Sequence, residues 1–72
     1  MPELIDARGL SCPQPVLITL KKIREMKTGE IEVIVDSEAA VENVSRMSNK
    51  EGWKVEMLDS SDDTFKLLLK NQ

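Results

Sequence analysis

Residues 13–36 read PQPVLITLKKIREMKTGEIEVIVD, and a change of periodicity within this stretch decides the fold class. Its first half repeats apolar residues at helical spacing, which predicts a helix from about Pro13 to Lys27. Its second half places β-branched residues at every second position, which predicts a strand from Glu30 to Asp36. Gly29 lies between the two and is expected to end the helix after Thr28. The predicted buried stripe of the helix consists of Val16, Leu17, Leu20, Ile23 and Met26.

The alternation of strand and helix continues on both sides of that stretch. Before it, Glu3 to Ala7 predicts a short first strand. After it, Ser37 is a suitable N-cap for a second helix, which Gly52 is expected to end. The predicted apolar face of that helix consists of Ala40, Val41, Val44 and Met47. Two more strands are predicted from Trp53 to Leu58 and from Thr64 to Leu69, joined by the polar loop Asp59 to Asp63.

The predicted order of elements is β-α-β-α-β-β. Because crossovers between parallel strands are right-handed, both helices are expected on one face of a mixed four-stranded sheet. This is an α/β (α+β) two-layer sandwich, and residues 1–72 are expected to form it as a single domain. The other face of the sheet stays more open, with Ile34, Leu58 and Leu68 as candidates for it. These residues would be either a docking patch or ordinary scattered surface apolar residues.

Composition restricts the classes of function. Of the 72 residues, 40% are apolar and 32% are charged, which is typical of a soluble globular domain. No apolar run approaches the roughly 18 residues of a membrane span, and the N-terminal residues show no secretory signal. The single cysteine favours a reducing, cytoplasmic setting. The net charge of −3 argues against direct binding of nucleic acid.

The chain contains no histidine and only one cysteine. It therefore has no Cys–His dyad and no imidazole general base. It also lacks the side chains for a histidine-containing or cysteine-rich zinc site, so no metal is expected.

The lone thiol of Cys12 is the candidate reactive group. It lies at the predicted start of the first helix, where unpaired N–H groups and a partial positive charge favour the thiolate. Pro13 and Pro15 have no N–H and stiffen the turn, so the N–H groups of Gln14 and Val16 remain to converge on the sulfur. The alternative is that Cys12 is a buried small hydrophobe.

Residues close to Cys12 in sequence have two interpretations each. Arg8 either supplies positive charge near the sulfur or is a solvated loop residue. Gly9 serves either a positive-φ turn or a close approach of backbone. Asp6 and Asp36, at the ends of strands, either orient Arg8 or cap backbone groups.

A basic set on the first helix contains Lys21, Lys22 and Arg24. It is either a solvated face or a contact surface for an acidic partner. Glu38, in the first turn of the second helix, is a further candidate for partner binding. Trp53 is expected in the core.

Residues 6–15, DARGLSCPQP, resemble the Asp-x-x-Gly-Leu-x-Cys-Pro-x-Pro signature of the TusA/SirA-like sulfur-carrier (sulfurtransferase) family. The resemblance covers the whole chain and implies the same β-α-β-α-β-β sandwich. It implies that Cys12 accepts sulfane sulfur as a persulfide and relays it to a partner protein, with no metal or organic cofactor. Implied donors are cysteine desulfurases and rhodanese-like proteins. Implied acceptors serve tRNA thiolation, molybdenum-cofactor assembly or sulfur oxidation.

Residues 35–46, VDSEAAVENVSR, look more like the N-terminal domain of YedF-type proteins, which are linked to selenium metabolism. The best-known tRNA-thiolation carriers tend to have an Asp-Pro step after the second strand, where this chain has Ser37-Glu38-Ala39-Ala40. A sulfur pathway and a selenium pathway therefore both stay open.

Three functions from different classes follow. The first is a persulfide carrier, expected to be a cytoplasmic monomer that works with donor and acceptor proteins. The second is a non-catalytic regulatory or interaction module that docks through the first helix or the open sheet face. The third, by analogy with the C-terminal domain of translation initiation factor three, is RNA binding, against which the net charge and the scarcity of aromatic residues weigh.

Overall fold

A computed structural model of the protein describes residues 3–10, 14–61 and 63–71. The predicted order of elements and the predicted fold class are confirmed. The elements are β1 (Glu3–Asp6), α1 (Gln14–Met26), β2 (Gly29–Val35), α2 (Glu38–Lys50), β3 (Lys54–Ser61) and β4 (Thr64–Asn71).

The four strands form one mixed sheet in the order β1-β2-β4-β3. β1 is parallel to β2, whereas β4 is antiparallel to both of its neighbours. The register of the parallel pair runs from Glu3 opposite Ile31 to Asp6 opposite Ile34. Because β1 and β2 are parallel, they end at the same edge of the sheet. The loop to α1 and the loop to α2 therefore begin side by side.

The hydrophobic core lies between the sheet and the two helices. Alternate residues of β2 face it, and their register partners on β4 complete the layer, with Ile31 opposite Leu69 and Val33 opposite Leu67. Trp53 is buried, as predicted, but it lies just before β3 and not at its first position. The buried apolar residues are Ala7, Ile23, Ile31, Val33, Val35, Val44, Trp53, Leu67 and Leu69.

The buried stripe of α1 differs from the prediction. Leu17 was expected in the core but its side chain is 55% exposed. The buried positions are Pro15, Thr19 and Ile23, which are spaced four residues apart along one helix face. Of the predicted stripe, Ile23 is buried, and Val16 and Met26 pack against the core. Thr19 and Pro15 were missed because Thr19 is polar and Pro15 was assigned only to the turn. Leu17 lies two residues from both Pro15 and Thr19, so it points away from the face they share.

The end of α1 also differs from the prediction. The helix ends at Met26, and Lys27, instead of Gly29, adopts the first positive φ, of 64°. The side-chain amide of Asn71 donates a 2.8 Å hydrogen bond to the Lys27 carbonyl. Gly29 is already in the sheet opposite Asn71. The chain therefore turns two residues earlier than predicted, at Lys27.

The boundaries of α2 agree with the prediction. The Ser37 hydroxyl accepts a 3.1 Å hydrogen bond from the backbone N–H of Ala40, which is the predicted N-cap interaction. Gly52 follows the helix with a φ of 88°. Val44 and Ser48 are the buried residues of this helix, and Ser48 was not predicted.

The hairpin between β3 and β4 is tighter than predicted. The expected loop began at Asp59, but β3 continues to Ser61 and Asp59 pairs with Lys66. An irregularity in the register between Met57 and Asp59 precedes this extension. Polar residues are tolerated in these paired positions because β3 is an edge strand that is open to solvent.

The sheet face opposite the helices carries the apolar residues that were predicted for it. Ile34 and Leu68 are half-buried, alternate with core-facing neighbours and lie opposite Lys66 and Glu32 respectively. Leu58, at the irregularity in β3, is exposed. Neither helix in the described part of the chain is long and apolar enough to cross a membrane.

Candidate functional site

The candidate site is the loop that connects β1 to α1. Cys12, with its neighbours Ser11 and Pro13, lies outside the described residues, so the predictions made for these three stay predictions. The structure describes the chain on both sides of them, up to Leu10 and from Gln14 onward. The geometry of these flanking residues shows how the loop is held.

The first contact in the loop is between Asp6 and Arg8. The Arg8 guanidinium donates from Nε to Oδ1 of Asp6 at 2.9 Å and from Nη2 to Oδ2 at 2.7 Å. The Arg8 backbone N–H donates to the same Oδ1 at 3.1 Å. These side-chain and backbone hydrogen bonds lower the pKa of Asp6 from 3.8 to about 2. Asp6 therefore both orients Arg8 and caps a backbone group, and the cation of Arg8 is held in an ion pair.

The second contact is between Asp36 and Gly9. The Gly9 N–H donates a 2.7 Å hydrogen bond to Oδ2 of Asp36, which follows the last residue of β2. Asp36 therefore caps a backbone group, which is one of the two roles predicted for it. Gly9 has a φ of 79°, and no atom lies within 4 Å of the place where a Cβ would be. Glycine is therefore needed for its conformation, whereas close approach plays no part.

Two backbone hydrogen bonds complete the described part of the loop. The Ala7 N–H donates to the Ile34 carbonyl at 2.7 Å, which extends the pairing of β1 with β2 by one residue. The Leu10 N–H donates to the Ala7 carbonyl at 3.4 Å and closes the turn. The path toward Cys12 is thus fixed against β2 as far as Gly9.

From Gln14 onward, the first turn of α1 combines exposed and buried residues. Gln14 is exposed, Pro15 is buried and Val16 is half-buried. Pro15 therefore fixes the helix start by packing as well as by its ring. A cleft of about 30 Å³ separates this turn from the start of α2 and is lined by Leu10, Pro15, Val16, Ser37, Ala39, Ala40 and Asn43. The N-termini of both helices therefore lie next to the loop.

The three basic residues predicted for partner binding differ in whether they form ion pairs. The Nζ atom of Lys22 lies 3.6 Å from Oε1 of Glu3 and 3.8 Å from Oε2 of Glu25. Arg24 lies 3.7 Å from Glu51 at the end of α2. Lys21 is exposed and forms no ion pair with any residue in the described ranges. Among these three, Lys21 is therefore the cation available to a partner.

Glu38, the acidic candidate for partner binding, lies in the first turn of α2 and is exposed. It makes no hydrogen bond or ion pair with the residues that the structure describes.

Exposed apolar side chains near the loop were not predicted as part of the site. They are Leu10, Leu17 and Ile18. The sequence carried no signal for the last two, because apolar residues of a helix are expected to face the core. Leu17 also lines a shallow groove along α1 together with Leu20, Lys21, Arg24 and Glu25. The surface beside the candidate site is therefore partly apolar and partly basic.

No three His, Cys, Asp or Glu side chains within residues 3–10, 14–61 and 63–71 are grouped so that they could hold a metal ion.

Comparisons with known proteins show the family to which the chain belongs. Among curated relatives, a provisionally named sulfur carrier protein of Methanocaldococcus jannaschii is 34% identical over 67 residues, which are 92% of this chain and 89% of that protein. A protein of Archaeoglobus fulgidus with the same provisional name is 46% identical over 54 residues, which are 74% of this chain and 61% of that protein.

The crystal structure of a SirA-like protein from Desulfitobacterium hafniense matches the fold with a TM-score of 0.86. The two chains are 28% identical, and the match covers 93% of each. The family model described as sulfurtransferase TusA matches residues 3–71, from the first residue of β1 to the last residue of β4. The chain therefore belongs to the TusA sulfurtransferase family.

Proposed function

We propose that this protein carries sulfane sulfur as a persulfide on Cys12 and relays it from a donor protein to an acceptor protein. The observation that supports this most is the construction of the loop before Cys12. Two aspartates, Asp6 and Asp36, hold that loop at the shared edge of β1 and β2. Family membership adds the chemistry to this geometry, because relatives of the chain are provisionally named sulfur carriers.

The proposed transfer is a sulfur exchange that conserves electrons. The Cys12 thiolate attacks the terminal sulfur of the donor's persulfide, and the donor cysteine leaves as a thiolate. Cys12 then holds the persulfide until an acceptor thiolate attacks its terminal sulfur, which releases Cys12 as a thiolate. Neither step needs a general base if the attacking thiol is already ionised. The absence of histidine from the chain is therefore no obstacle.

In this proposal the start of α1 stabilises the anionic sulfur. The helix contains 13 residues, and its N-terminus carries partial positive charge. The N–H groups of Gln14 and Val16 act as donors to the sulfur, while Pro13 and Pro15 stiffen the turn. Arg8 contributes indirectly, because its guanidinium is bound to Asp6. Gly9 supplies the turn that directs the chain toward Cys12.

Donor and acceptor proteins are proposed to dock on the surface beside Cys12. The exposed side chains of Leu10, Leu17 and Ile18 supply apolar contact, and Lys21 supplies a cation for an acidic partner. Lys22 and Arg24 would add positive charge to that of Lys21. Glu38, in the first turn of α2, is the acidic residue proposed for partner binding. The protein is proposed to act as a cytoplasmic monomer in which residues 1–72 form one domain.

The test is transfer of radiolabelled sulfur from cysteine through a cysteine desulfurase. The expected result is label on the wild-type chain that a thiol reductant removes. Cys12→Ala is expected to remain folded and unlabelled. Equal labelling of wild type and Cys12→Ala would contradict the proposal, as would the absence of label on the wild type with both a desulfurase and a rhodanese-like donor.

A non-catalytic interaction module is the second candidate. The exposed apolar side chains of α1 and of the open sheet face favour it, because they would serve docking whether or not sulfur is carried. A Cys12→Ala variant that supports its host pathway as well as the wild type would favour this candidate over the carrier.

A further inference from the structure

We propose that Asp36 is a positioning residue for Cys12, which it serves by fixing Gly9 to the end of β2. This inference rests on the proposed function, because it gives Asp36 a role in the reactivity of the sulfur carrier. Asp36 is not proposed to contact the sulfur. It acts through the backbone of the loop.

The contact that supports the proposal joins distant parts of the chain. Oδ2 of Asp36 and the backbone nitrogen of Gly9 are 2.7 Å apart, although 27 residues separate them in sequence. A hydrogen bond to a charged acceptor is about twice as strong as one between neutral groups. Along the described part of the loop, it reaches a later residue than the hydrogen bonds between Asp6 and Arg8 do.

Asp36 is well placed to act as a fixed point. The residue before it, Val35, is buried and pairs with Phe65 in the sheet. The residue after it, Ser37, is the N-cap of α2. The backbone of Asp36 is therefore held on both sides, so its carboxylate can hold the less regular loop.

The loop needs a restraint at Gly9. Asp6 binds Arg8 and nothing later in the described part of the loop. The Leu10 N–H has only a long hydrogen bond, of 3.4 Å, to Ala7. Gly9 itself is the residue with the most conformational freedom. Without Asp36, Gly9 would lose its hydrogen bond to the residue that follows β2.

A test must separate the effect of the negative charge of Asp36 from the effect of its hydrogen bond to Gly9. The charged groups at this end of the molecule are Asp6 and Arg8 from the end of β1, Asp36 from the end of β2 and Glu38 from α2. The negative charge of Asp36 by itself disfavours a thiolate nearby, whereas its hydrogen bond to Gly9 favours the placement that stabilises one. Removing Asp36 therefore has two opposite effects.

Two variants of equal charge separate these effects. Asp36→Asn and Asp36→Ala are both neutral, but only the asparagine keeps a side-chain oxygen that can accept from the Gly9 N–H. The measurement is the rate of Cys12 alkylation against pH. We expect the apparent pKa of Cys12 to be about 0.5 units higher in Asp36→Ala than in Asp36→Asn, because a thiolate displaced from a helix N-terminus loses part of that stabilisation. Below the pKa, alkylation would then be about 3-fold slower in the alanine variant.

Asp59 provides the matched control. It is an exposed aspartate on β3 that also accepts a backbone hydrogen bond, from the Ser60 N–H at 2.8 Å. Asp59→Asn and Asp59→Ala are expected to have the same apparent pKa for Cys12. Equal values for Asp36→Asn and Asp36→Ala would overturn the proposal, and so would a difference between the two Asp59 variants as large as that between the Asp36 variants.

A measurement on the wild type covers the case in which Asp36→Ala does not fold. The Gly9 amide is expected to be protected from hydrogen exchange, and an unprotected Gly9 amide would overturn the proposal. Failure of the proposed function gives a different result. In that case wild-type Cys12 accepts no sulfur from any donor, while the two Asp36 variants still differ in alkylation.

Discussion

The carboxylate of Asp6 accepts three hydrogen bonds from Arg8, two from the guanidinium and one from the backbone N–H. The two residues are exposed, so the pair owes its geometry to the tight turn that begins the loop. The turn is thus closed by an ion pair before the chain reaches Gly9 and the bond to Asp36.

The first prediction concerns the pH dependence of this pair. The pKa of Asp6 is lowered from 3.8 to about 2, so its ion pair stabilises the fold fully above pH 3.8 and this stabilisation is lost as the pH falls through about 2. In Arg8→Gln the pKa of Asp6 should rise toward 3.8, measured by NMR titration of its carboxyl carbon. Arg46→Gln, which breaks the separate ion pair with Glu42, should leave Asp6 unchanged. An Asp6 that still titrates near pH 2 in Arg8→Gln would contradict the assignment.

The second prediction concerns the positive φ of Gly9. Gly9→Ala should lower the free energy of unfolding by about 1 kcal/mol, because a Cβ in the left-handed region is strained even in open space. Gly52→Ala is the matched control, since Gly52 has a φ of 88° and equally open surroundings. Denaturant unfolding should show a similar loss in both, whereas only Gly9→Ala should change the rate of Cys12 alkylation. An equal change in both variants would show that the turn at Gly9 has no special link to Cys12.

The third prediction concerns the buried hydroxyl of Thr19. Its Oγ1 is buried and has no hydrogen-bond partner in the described structure. Thr19→Val keeps the shape and removes the unpaired group, so the free energy of unfolding should rise by about 1 kcal/mol. Thr28→Val makes the same change at an exposed position and should alter stability by less than about 0.5 kcal/mol. A destabilised Thr19→Val protein would mean that the hydroxyl has a partner after all.

The fourth prediction concerns docking through α1. Lys21→Glu should slow sulfur transfer from a donor protein about 3- to 10-fold at low salt, with the difference shrinking as salt is added. Alkylation of Cys12 by a small neutral reagent should stay unchanged. Lys54→Glu, the same reversal on the exposed start of β3, is the control and should not slow transfer. Equal slowing by both variants would indicate a general effect of net charge.

The order of elements and the layer arrangement could be predicted from the sequence because each element carries its own periodicity. The helix cap at Ser37 and the positive φ at Gly52 are local signals, and both are confirmed. The buried position of Trp53 also followed from residue type alone.

The errors arose where contacts between elements decide the local structure. The early end of α1 depends on Asn71, which bonds to the Lys27 carbonyl from 44 residues away. The longer hairpin depends on pairing of Asp59 with Lys66, which overrides the preference of aspartate for loops. The exposure of Leu17 depends on which face of α1 meets the sheet, and that face carries Pro15, Thr19 and Ile23.

The candidate site also combines features that local sequence predicts with features that depend on contacts between elements. The sequence indicated that Asp6 and Asp36 cap backbone groups or orient Arg8. It could not show that Asp36 reaches Gly9, because that contact exists only once β1 and β2 lie in parallel. The exposed apolar residues beside the loop could be recognised only after the core-facing side of α1 was known.

The mass of the intact protein shows whether Cys12 carries sulfur. The protein is incubated with a cysteine desulfurase and cysteine, and its mass is measured by mass spectrometry before and after reduction. We expect an adduct of one sulfur atom, located to the peptide that contains Cys12 and removed by the reductant. A protein whose mass is unchanged with several donors, or an adduct that persists in Cys12→Ser, would contradict the proposed role of Cys12.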